Sequence, residues 1–359
     1  MSKIIHVVGA RPNFVKLAPV VNAIYENTYW TQSIIHTGQH YDKSMSKTFF
    51  NELHIPNPDY NLNIGSTSHA EQTGRMMIEL GAVIKYINPE LVMVYGDVNS
   101  TLAAAMVCAK MGVLLAHVEA GLRSHDMRMP EEINRILTDR VSDILFTHCL
   151  EADTNLIAEG VNEDNIHFVG NVIIDTIVKH EDEINFTKIK NLVPEHGYAL
   201  ATLHRPSNVD DDNYLRLIMD TLDKISRRIP IIFPAHPRTT KRLKEIKYSP
   251  THSNVVIIKP VTYLQSLSLQ KYAKFVITDS GGMQEETTFL GIPCITVREN
   301  TERSITIEKG TNVLVDRMPY KIERAVDKIL SNARTISSLP TLWDGHASER
   351  IVKKLRQYI

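Results

Sequence analysis

Short, continuously apolar segments recur along the whole chain and alternate with segments of helical spacing. The first half contains IIHVVGA, SIIHTG, LVMVYG, VLLAHVEAG, DILFTHC and IHFVGN, and the second half contains YALATLHR, IIFPAHP, VVIIKPV, KFVITDS, CITVRE and TNVLV. Strands that are apolar on both faces are typical of parallel sheets covered by helices on both sides. The sequence therefore predicts an α/β fold with two Rossmann-like, doubly wound parallel sheets.

The chain length supports two domains, because 359 residues exceed what one hydrophobic core normally holds. The first set of strands is complete near Val169, which predicts an N-terminal domain over residues 1–170 and a C-terminal domain over residues 171–341. The last segment, about residues 342–359, includes SERIVKKLRQYI, which has helical spacing. We expect it to pack back on the N-terminal domain.

The charge balance argues against polyanionic partners. Lys and Arg number 40 against 41 Asp and Glu, for a formal net charge of -1, which gives no support for binding nucleic acid or an anionic membrane. The N-terminus begins with a strand-like segment rather than a signal peptide, and no apolar stretch reaches membrane-spanning length. The distant cysteines Cys108, Cys149 and Cys294 fit a reduced, cytoplasmic compartment and no zinc knuckle.

Polar residues stand mostly where the apolar segments end. They include Arg11, Asp97, Glu119, His204, Arg205, His236, Asp279 and Arg298. Open parallel sheets bind ligands beyond the carboxyl ends of their strands. The pattern therefore predicts an enzyme whose two domains present these edges to a common cleft.

The segment TDSGGMQEE, residues 278–286, follows an apolar segment and predicts a helix that begins at a glycine turn. Ser280, Gly281 and Gly282 would expose N–H groups that favour a phosphate, and Glu286 could accept hydrogen bonds from a ribose. The alternative is an ordinary turn with acidic residues at a helix start. The dinucleotide fingerprint G-x-G-x-x-G and the ATP-binding loop G-x-x-x-x-G-K-[ST] are both absent.

Two further strand ends carry candidate ligands. GARPNFVK places Arg11 and Lys16 where they could face a diphosphate, although Lys16 could equally lie on a solvated helix face. In GDVNST, Asp97 could cap a helix, or Asn99 or Ser100 could cap it and leave Asp97 for the cleft.

The segment HVEAGLRSHDMRMPEEINR, residues 117–135, crowds carboxylates and arginines after a buried strand. Its spacings match no metal site, and arginines are poor neighbours for a metal, so we expect none. Glu119 either serves proton chemistry or forms a buried ion pair with Arg123. Glu132 is interpreted as an acid at a helix start.

Several motifs in order resemble the non-hydrolysing UDP-N-acetylglucosamine 2-epimerase family over almost the whole chain. They are GARPNFVK, HTGQH, GDVNSTL, HVEAGLR, PEEINR, TLHR, TDSGGMQEE and ENTER. The resemblance implies a GT-B-like fold, a homodimer, and interconversion of UDP-GlcNAc and UDP-ManNAc without metal, NAD or any other cofactor. It further implies that UDP is eliminated to give a 2-acetamidoglucal and is then added back.

The same resemblance implies residue roles. The family's catalytic carboxylates match Asp97, Glu119 and Glu131, and its catalytic histidine matches His204. Contacts with UDP or the sugar are implied for Arg11, Lys16, Arg123, Arg135, Arg205, His236, Ser280, Gly281, Gly282, Glu286 and Arg303. The C2 proton is not acidic, so this chemistry needs acid and base groups near C2 and cations around the leaving diphosphate.

Three segments depart from the family pattern. HDMRMPEE stands where many members have S-P-x-P-E-E, and related loops occur in enzymes acting on UDP-diacetamido-uronic acids, whose carboxylate Arg128 could meet. HRPS and QHYD replace H-R-R-E and Q-H-R, regions that bind an activating UDP-GlcNAc in some bacterial members. The alternatives are an epimerase of such a uronic acid, a GT-B glycosyltransferase, a hydrolysing epimerase and a non-catalytic nucleotide-sugar sensor.

Overall fold

The computed structural model describes residues 2–39, 43–250, 254–331 and 338–359. The chain divides into two compact units, Met1–Lys179 with Thr341–Ile359, and His180–Pro340. Each unit contains one parallel sheet, which confirms the predicted α/β class. The QHYD departure extends into residues 40–42, which lie outside the described residues.

The first unit alternates strands and helices. Its strands are β1 (Lys3–Val8), β2 (Thr31–His36), β3 (Tyr60–Asn61), β4 (Leu91–Tyr95), β5 (Leu114–Val118), β6 (Ile144–Thr147) and β7 (Ile166–Phe168). Its helices are α1 (Arg11–Asn27), α2 (Lys43–Glu52), α3 (His69–Ile87), α4 (Asn99–Met111), α5 (Pro130–Val141), α6 (Leu150–Ala158) and α7 (Val172–Lys179). Among the described residues the strand order is β3-β2-β1-β4-β5-β6-β7, with the order reversing beside β1.

The second unit repeats this plan. Its strands are β8 (Ala199–Thr202), β9 (Ile231–Pro234), β10 (Val255–Ile258), β11 (Val276–Thr278), β12 (Cys294–Val297) and β13 (Asn312–Val315). Its helices are α8 (Pro206–Val209), α9 (Asp212–Ser226), α10 (Pro237–Glu245), α11 (Tyr263–Lys271), α12 (Gly281–Leu290), α13 (Ile305–Glu308) and α14 (Pro319–Leu330). Where the chain is described, the strand order is β10-β9-β8-β11-β12-β13.

Helix spacing explains how each sheet is covered. In α3, Met76, Leu80 and Ile84 recur every four residues and are fully buried, as expected for one face of a helix. Every residue of β4 is buried, which agrees with a strand covered on both sides. None of the helices in the described ranges is both long and apolar enough to cross a bilayer.

The C-terminal segment belongs to the first unit and ends in α15 (Ala347–Leu355), which contacts α1 and α7. The Asp175 carboxylate accepts the N–H groups of Ala347 and Ser348 at 3.1 and 2.6 Å, and thereby caps this helix. The division between units comes after Lys179 rather than after residue 170. The reason is that α7 also packs on α1, where the Thr176 hydroxyl donates to the Val15 carbonyl at 2.7 Å.

Candidate active site

The first unit brings the predicted carboxylates to the carboxyl ends of β4 and β5. Asp97 follows β4, Glu119 follows β5, and these two strands are neighbours in the sheet. Glu131 lies in the first turn of α5. The Asn134 side chain of that helix donates to the Asp97 carbonyl at 2.9 Å, which fixes the start of α5 beside the sheet edge.

A buried ion pair joins Lys16 to Glu119. Lys16 Nζ lies 2.6 Å from Glu119 Oε1, and both side chains are only 4% exposed. Glu119 has φ +75°, a left-handed conformation that is uncommon outside glycine. The Phe146 carbonyl stabilises it by accepting the N–H groups of Glu119 and Ala120 at 3.0 Å. Gly96 is required nearby, because a Cβ there would lie 2.6 Å from Lys16 Nζ.

Arg135 is a second buried cation at this edge. Its guanidinium lies 2.5 Å from Asp97 Oδ2 and also donates to Glu132. Glu132 accepts the N–H groups of Ser124 and His125 at 3.0 and 2.8 Å. Burial would raise the pKa of Glu132, but these hydrogen bonds and Arg135 lower it below its ordinary value. Glu132 is therefore more than a helix-start acid, since it fixes the loop that precedes α5.

Arg123 pairs with Asp139 and Glu159 instead of with Glu119. It donates to Asp139 at 2.7 Å and makes a two-point contact with Glu159, also at 2.7 Å. Burial alone would lower the pKa of Arg123, and the two carboxylates raise it. The alternative of a Glu119–Arg123 ion pair is therefore wrong. Four of the five N–H donors of Arg123 are engaged by Glu159, Asp139 and the Leu122 carbonyl, which argues against a contact with the substrate.

Glu131 and Arg11 are, like Asp97, half-buried members of the predicted set in this unit. Among the described residues, the Glu131 carboxylate accepts no hydrogen bond. Arg11 is the first residue of α1, whose start is fixed by Asn13. The Asn13 side chain accepts the Gly9 N–H at 3.2 Å and donates to the Tyr95 carbonyl at the end of β4 at 2.7 Å.

In the second unit, Asp279 accepts hydrogen bonds from several residues that follow β8. Its fully buried carboxylate accepts the N–H groups of His204 and Arg205 at 3.0 and 2.9 Å and the Asn208 amide at 3.0 Å. Its Oδ1 atom lies 3.0 Å from His204 Nδ1. Burial would raise the pKa of Asp279, but His204 and the hydrogen bonds lower it to about 2. The His236 ring lies 5.8 Å from the His204 ring, centroid to centroid.

The helix α12 begins at the predicted glycine turn, with Ser280 as its N-cap. Glycine at position 281 leaves room for the Arg303 guanidinium, because a Cβ there would lie 2.6 Å from Arg303 Nη1 and the guanidinium would have to shift. Arg303 Nε lies 2.9 Å from Glu285, and the guanidinium also pairs with Glu302. The N–H groups of Gly281 and Gly282 belong to the first helical turn, where no intrahelical acceptor exists, and Arg303 adds positive charge beside them. The turn is therefore suited to an anion.

Glu286 is a buried carboxylate with a neutral hydrogen-bond donor. Burial raises the pKa of Glu286 to about 7, with a contribution from Glu285 and an opposing one from hydrogen bonding. The Gln270 amide donates to Glu286 at 2.7 Å. This carboxylate therefore changes charge near neutral pH.

Sequence reasoning assigned no orienting role to five buried acids, although it named Asp279 as a strand-end residue and Glu132 as a helix-start acid. They are Asp139, Glu132, Glu285, Glu302 and Asp279, all of them buried acids that pair with an arginine or histidine of the site motifs. His117 is likewise buried and lies 2.6 Å from Asp139 and 2.8 Å from the Gly96 carbonyl. Their positions in the sequence could have indicated this role, because most of these acids lie inside or beside the quoted motifs.

Comparisons with known proteins agree over nearly the whole chain. A family model described as UDP-N-acetylglucosamine 2-epimerase matches residues 22–356. The UDP-N-acetylglucosamine 2-epimerase of Methanocaldococcus jannaschii is 45% identical over an alignment of 359 positions, which covers 97% of each chain. The UDP-2,3-diacetamido-2,3-dideoxy-D-glucuronate 2-epimerase of Pseudomonas aeruginosa is 43% identical, over 98% of this chain and 99% of its own. A crystal structure of the M. jannaschii UDP-GlcNAc 2-epimerase with UDP-GlcNAc and UDP matches with a TM-score of 0.93 and 44% identity, over 99% of both chains.

The Lys16–Glu119 pair gives a stability prediction. Lys16→Met leaves a buried carboxylate without its cation, so the free energy of unfolding in urea should fall by about 3–5 kcal/mol. Lys16→Met with Glu119→Gln removes both charges and should recover most of that loss. Lys179→Met is the control, because its contact with Glu26 is long, at 4.0 Å, and exposed, and should cost less than about 0.5 kcal/mol. Equal losses at both lysines would contradict the prediction.

Glu286 gives a pH prediction. Its pKa is about 7 in the folded chain, above its ordinary value of 4.5. Folding therefore favours the protonated form. As the pH rises from 4.5 to above 7, ionisation of Glu286 lowers the free energy of unfolding. Glu286→Gln should match the wild type near pH 5 and be more stable at pH 8.5 by up to about 3 kcal/mol in urea unfolding. The exposed Glu308→Gln should show no pH-dependent difference. A Glu286→Gln difference that is the same at both pH values would refute the charge change.

Proposed function

The chain belongs to the UDP-N-acetylglucosamine 2-epimerase family of isomerases, and we propose that it interconverts UDP-GlcNAc and UDP-ManNAc without hydrolysing them. The substrate is inferred from the relatives that bear this activity in their names, including the M. jannaschii protein. The matching crystal structure of that protein contains UDP-GlcNAc and UDP.

The observation that carries the proposal is the set of carboxylates at one sheet edge of the first unit. Asp97 and Glu119 each have a buried cation, Arg135 and Lys16 respectively. Glu131 is half-buried and has no hydrogen-bond partner among the described residues. Epimerisation at C2 requires a proton to leave one face of the carbon and another to arrive on the opposite face. A set of acids in different electrostatic settings supports both steps.

The proposed reaction balances without an external oxidant. A carboxylate removes the C2 proton, the C2–H electrons form the C1–C2 double bond, and the C1–O bond breaks so that UDP leaves with its electron pair. The product of this step is a 2-acetamidoglucal. A carboxylic acid then returns a proton to the opposite face of C2, while a UDP oxygen adds back to C1.

We assign the nucleotide to the second unit. The Ser280 hydroxyl and the N–H groups of Gly281 and Gly282 would bind phosphate, whereas the Ser280 N–H donates to the Thr278 hydroxyl at 3.0 Å. Glu286 would accept hydrogen bonds from the ribose. Cationic or polar side chains of this unit would face the leaving diphosphate: His204, Arg205, His236 and Arg303. In this assignment Lys16 acts mainly through Glu119, because its ammonium lies 2.6 Å from that carboxylate.

Turnover in heavy water tests the reaction. With UDP-GlcNAc as the only substrate and no acceptor, the product should carry solvent deuterium at C2, measured by NMR. Glu131→Gln should slow this exchange by about 10²–10⁴-fold, the usual contribution of a positioned acid or base. The fold of this variant should be unaffected, because the Glu131 carboxylate accepts no hydrogen bond within the described chain.

The matched control is Glu163→Gln, which changes an exposed carboxylate of the same unit and should leave turnover unchanged. Formation of the epimer without C2 deuterium would exclude proton exchange at C2. Release of free ManNAc with UDP would indicate a hydrolysing epimerase, and a requirement for an acceptor sugar would indicate a glycosyltransferase.

A second candidate substrate is a UDP-diacetamido-uronic acid. The supporting observation is Arg128 in the loop before α5, whose side chain is 79% exposed and lies 2.8 Å from Asp126. The similarity to the P. aeruginosa uronate epimerase extends over nearly the full length of both chains. An exposed guanidinium in this loop could bind a sugar carboxylate.

Arg128→Ala separates the two substrates. If Arg128 binds a sugar carboxylate, the substitution should lower kcat/KM for UDP-2,3-diacetamido-2,3-dideoxy-D-glucuronate by roughly tenfold or more, and leave kcat/KM for UDP-GlcNAc within about twofold. We expect UDP-GlcNAc to be turned over by both proteins. Turnover of the uronic acid by the wild type, with none of UDP-GlcNAc, would reject UDP-GlcNAc as the substrate.

A further inference from the structure

We propose that Asp279 is a positioning residue that accepts the Nδ1–H of His204 and so directs Nε2 of that ring toward the substrate's diphosphate, to which the imidazolium form donates its Nε2–H. This inference rests on the proposed function for the role of His204 and adds the residue that orients it. Neither the motifs nor the resemblance assigns Asp279 a part in the reaction.

The geometry of Asp279 constrains His204 at two points. The carboxylate accepts the His204 backbone N–H at 3.0 Å, which fixes where the side chain starts. The same carboxylate lies 3.0 Å from Nδ1, which fixes the rotation of the ring. Asp279 is fully buried, whereas the His204 side chain is 41% exposed. With Nδ1 held on the buried side, the exposed part of the ring is the Nε2 side.

The surroundings favour an acceptor role for the carboxylate. Its other contacts are donors, namely the Arg205 N–H at 2.9 Å and the Asn208 amide at 3.0 Å. These charges and hydrogen bonds keep the pKa of Asp279 at about 2, despite the burial that would raise it. The nearby His236 uses its own Nδ1 to accept the Arg238 N–H at 3.2 Å, so its neutral ring carries a proton on Nε2. In their neutral forms the two rings therefore present the same atom, Nε2, outward, unprotonated in His204 and protonated in His236.

A purely structural role of Asp279, through its hydrogen bonds to the backbone, predicts a different result. If Asp279 only ties the segment after β8 to β11, its loss should cost stability and turnover whether or not His204 is present. If it acts through His204, the cost in turnover should vanish once that ring is gone.

The experiment compares kcat for UDP-GlcNAc in the wild type, Asp279→Asn, His204→Ala and the double variant. Asp279→Asn should lower kcat by about 10- to 100-fold, since an oriented acid or base is worth at least that much. In the His204→Ala background the same change should alter kcat by less than about twofold, while it still lowers the free energy of unfolding in urea, because the backbone N–H groups and the Asn208 amide that donate to Asp279 remain. Equal factors in both backgrounds, or no effect of His204→Ala on kcat, would overturn the inference.

Asn208→Ala is the matched control, because it removes one donor to Asp279 without touching the His204 ring. Its kcat should stay within about twofold of the wild type, and a loss as large as that of Asp279→Asn would overturn the inference.

A second measurement needs no folded Asp279 variant. In wild-type protein with ¹⁵N-labelled histidine, the His204 signals, assigned by their loss in His204→Ala, should show the neutral ring protonated at Nδ1. Protonation at Nε2 would overturn the inference. This result stands even if the wild type converts no UDP-sugar, an outcome that would reject the proposed function instead.

Discussion

Burial of the parallel strands on both faces is the constraint on which this molecule depends. Because β4 and most of β5 lie inside the first unit, their side chains cannot reach solvent or a ligand. Polar chemistry is therefore confined to the residues that follow each strand, as with Asp97 and Glu119, and to the first turns of the next helices. The second unit obeys the same rule at the ends of β8 and β11, where His204 and Asp279 meet.

Burial at these edges also requires that charges be paired. Glu119 has Lys16, Glu132 has Arg135, and Glu285 has Arg303, since an isolated buried charge costs several kcal/mol. Two carboxylates break the pattern. Within the described residues Glu131 has no partner and stays half-buried, and Glu286 is buried beside a neutral amide. Burial therefore raises the pKa of Glu286, and no cation in the described part of the chain pairs with its carboxylate to oppose that rise.

The strand ends and the motif residues could be predicted from the sequence, because buried strands and glycine turns are local patterns. The ion-pair partners could not. Glu119 and Arg123 stand close in sequence, yet the left-handed turn at Glu119 separates them. Lys16 reaches Glu119 across 103 residues, and Arg123 reaches Glu159 across 36. Such pairings depend on how strands and helices are arranged in space, and a single sequence does not encode that as a recognisable spacing.

The two units hold a functional side chain in the same way, by contact with a buried charged side chain. In each, a buried charged residue lies behind the functional one, Lys16 behind Glu119 and Asp279 behind His204. The anchoring charge is fixed before any substrate binds, so little reorganisation is needed when charge develops on the sugar or the leaving diphosphate. Substitution of an anchor should therefore disturb orientation and stability together, whereas substitution of Glu131, which has no anchor among the described residues, should disturb the proton chemistry alone.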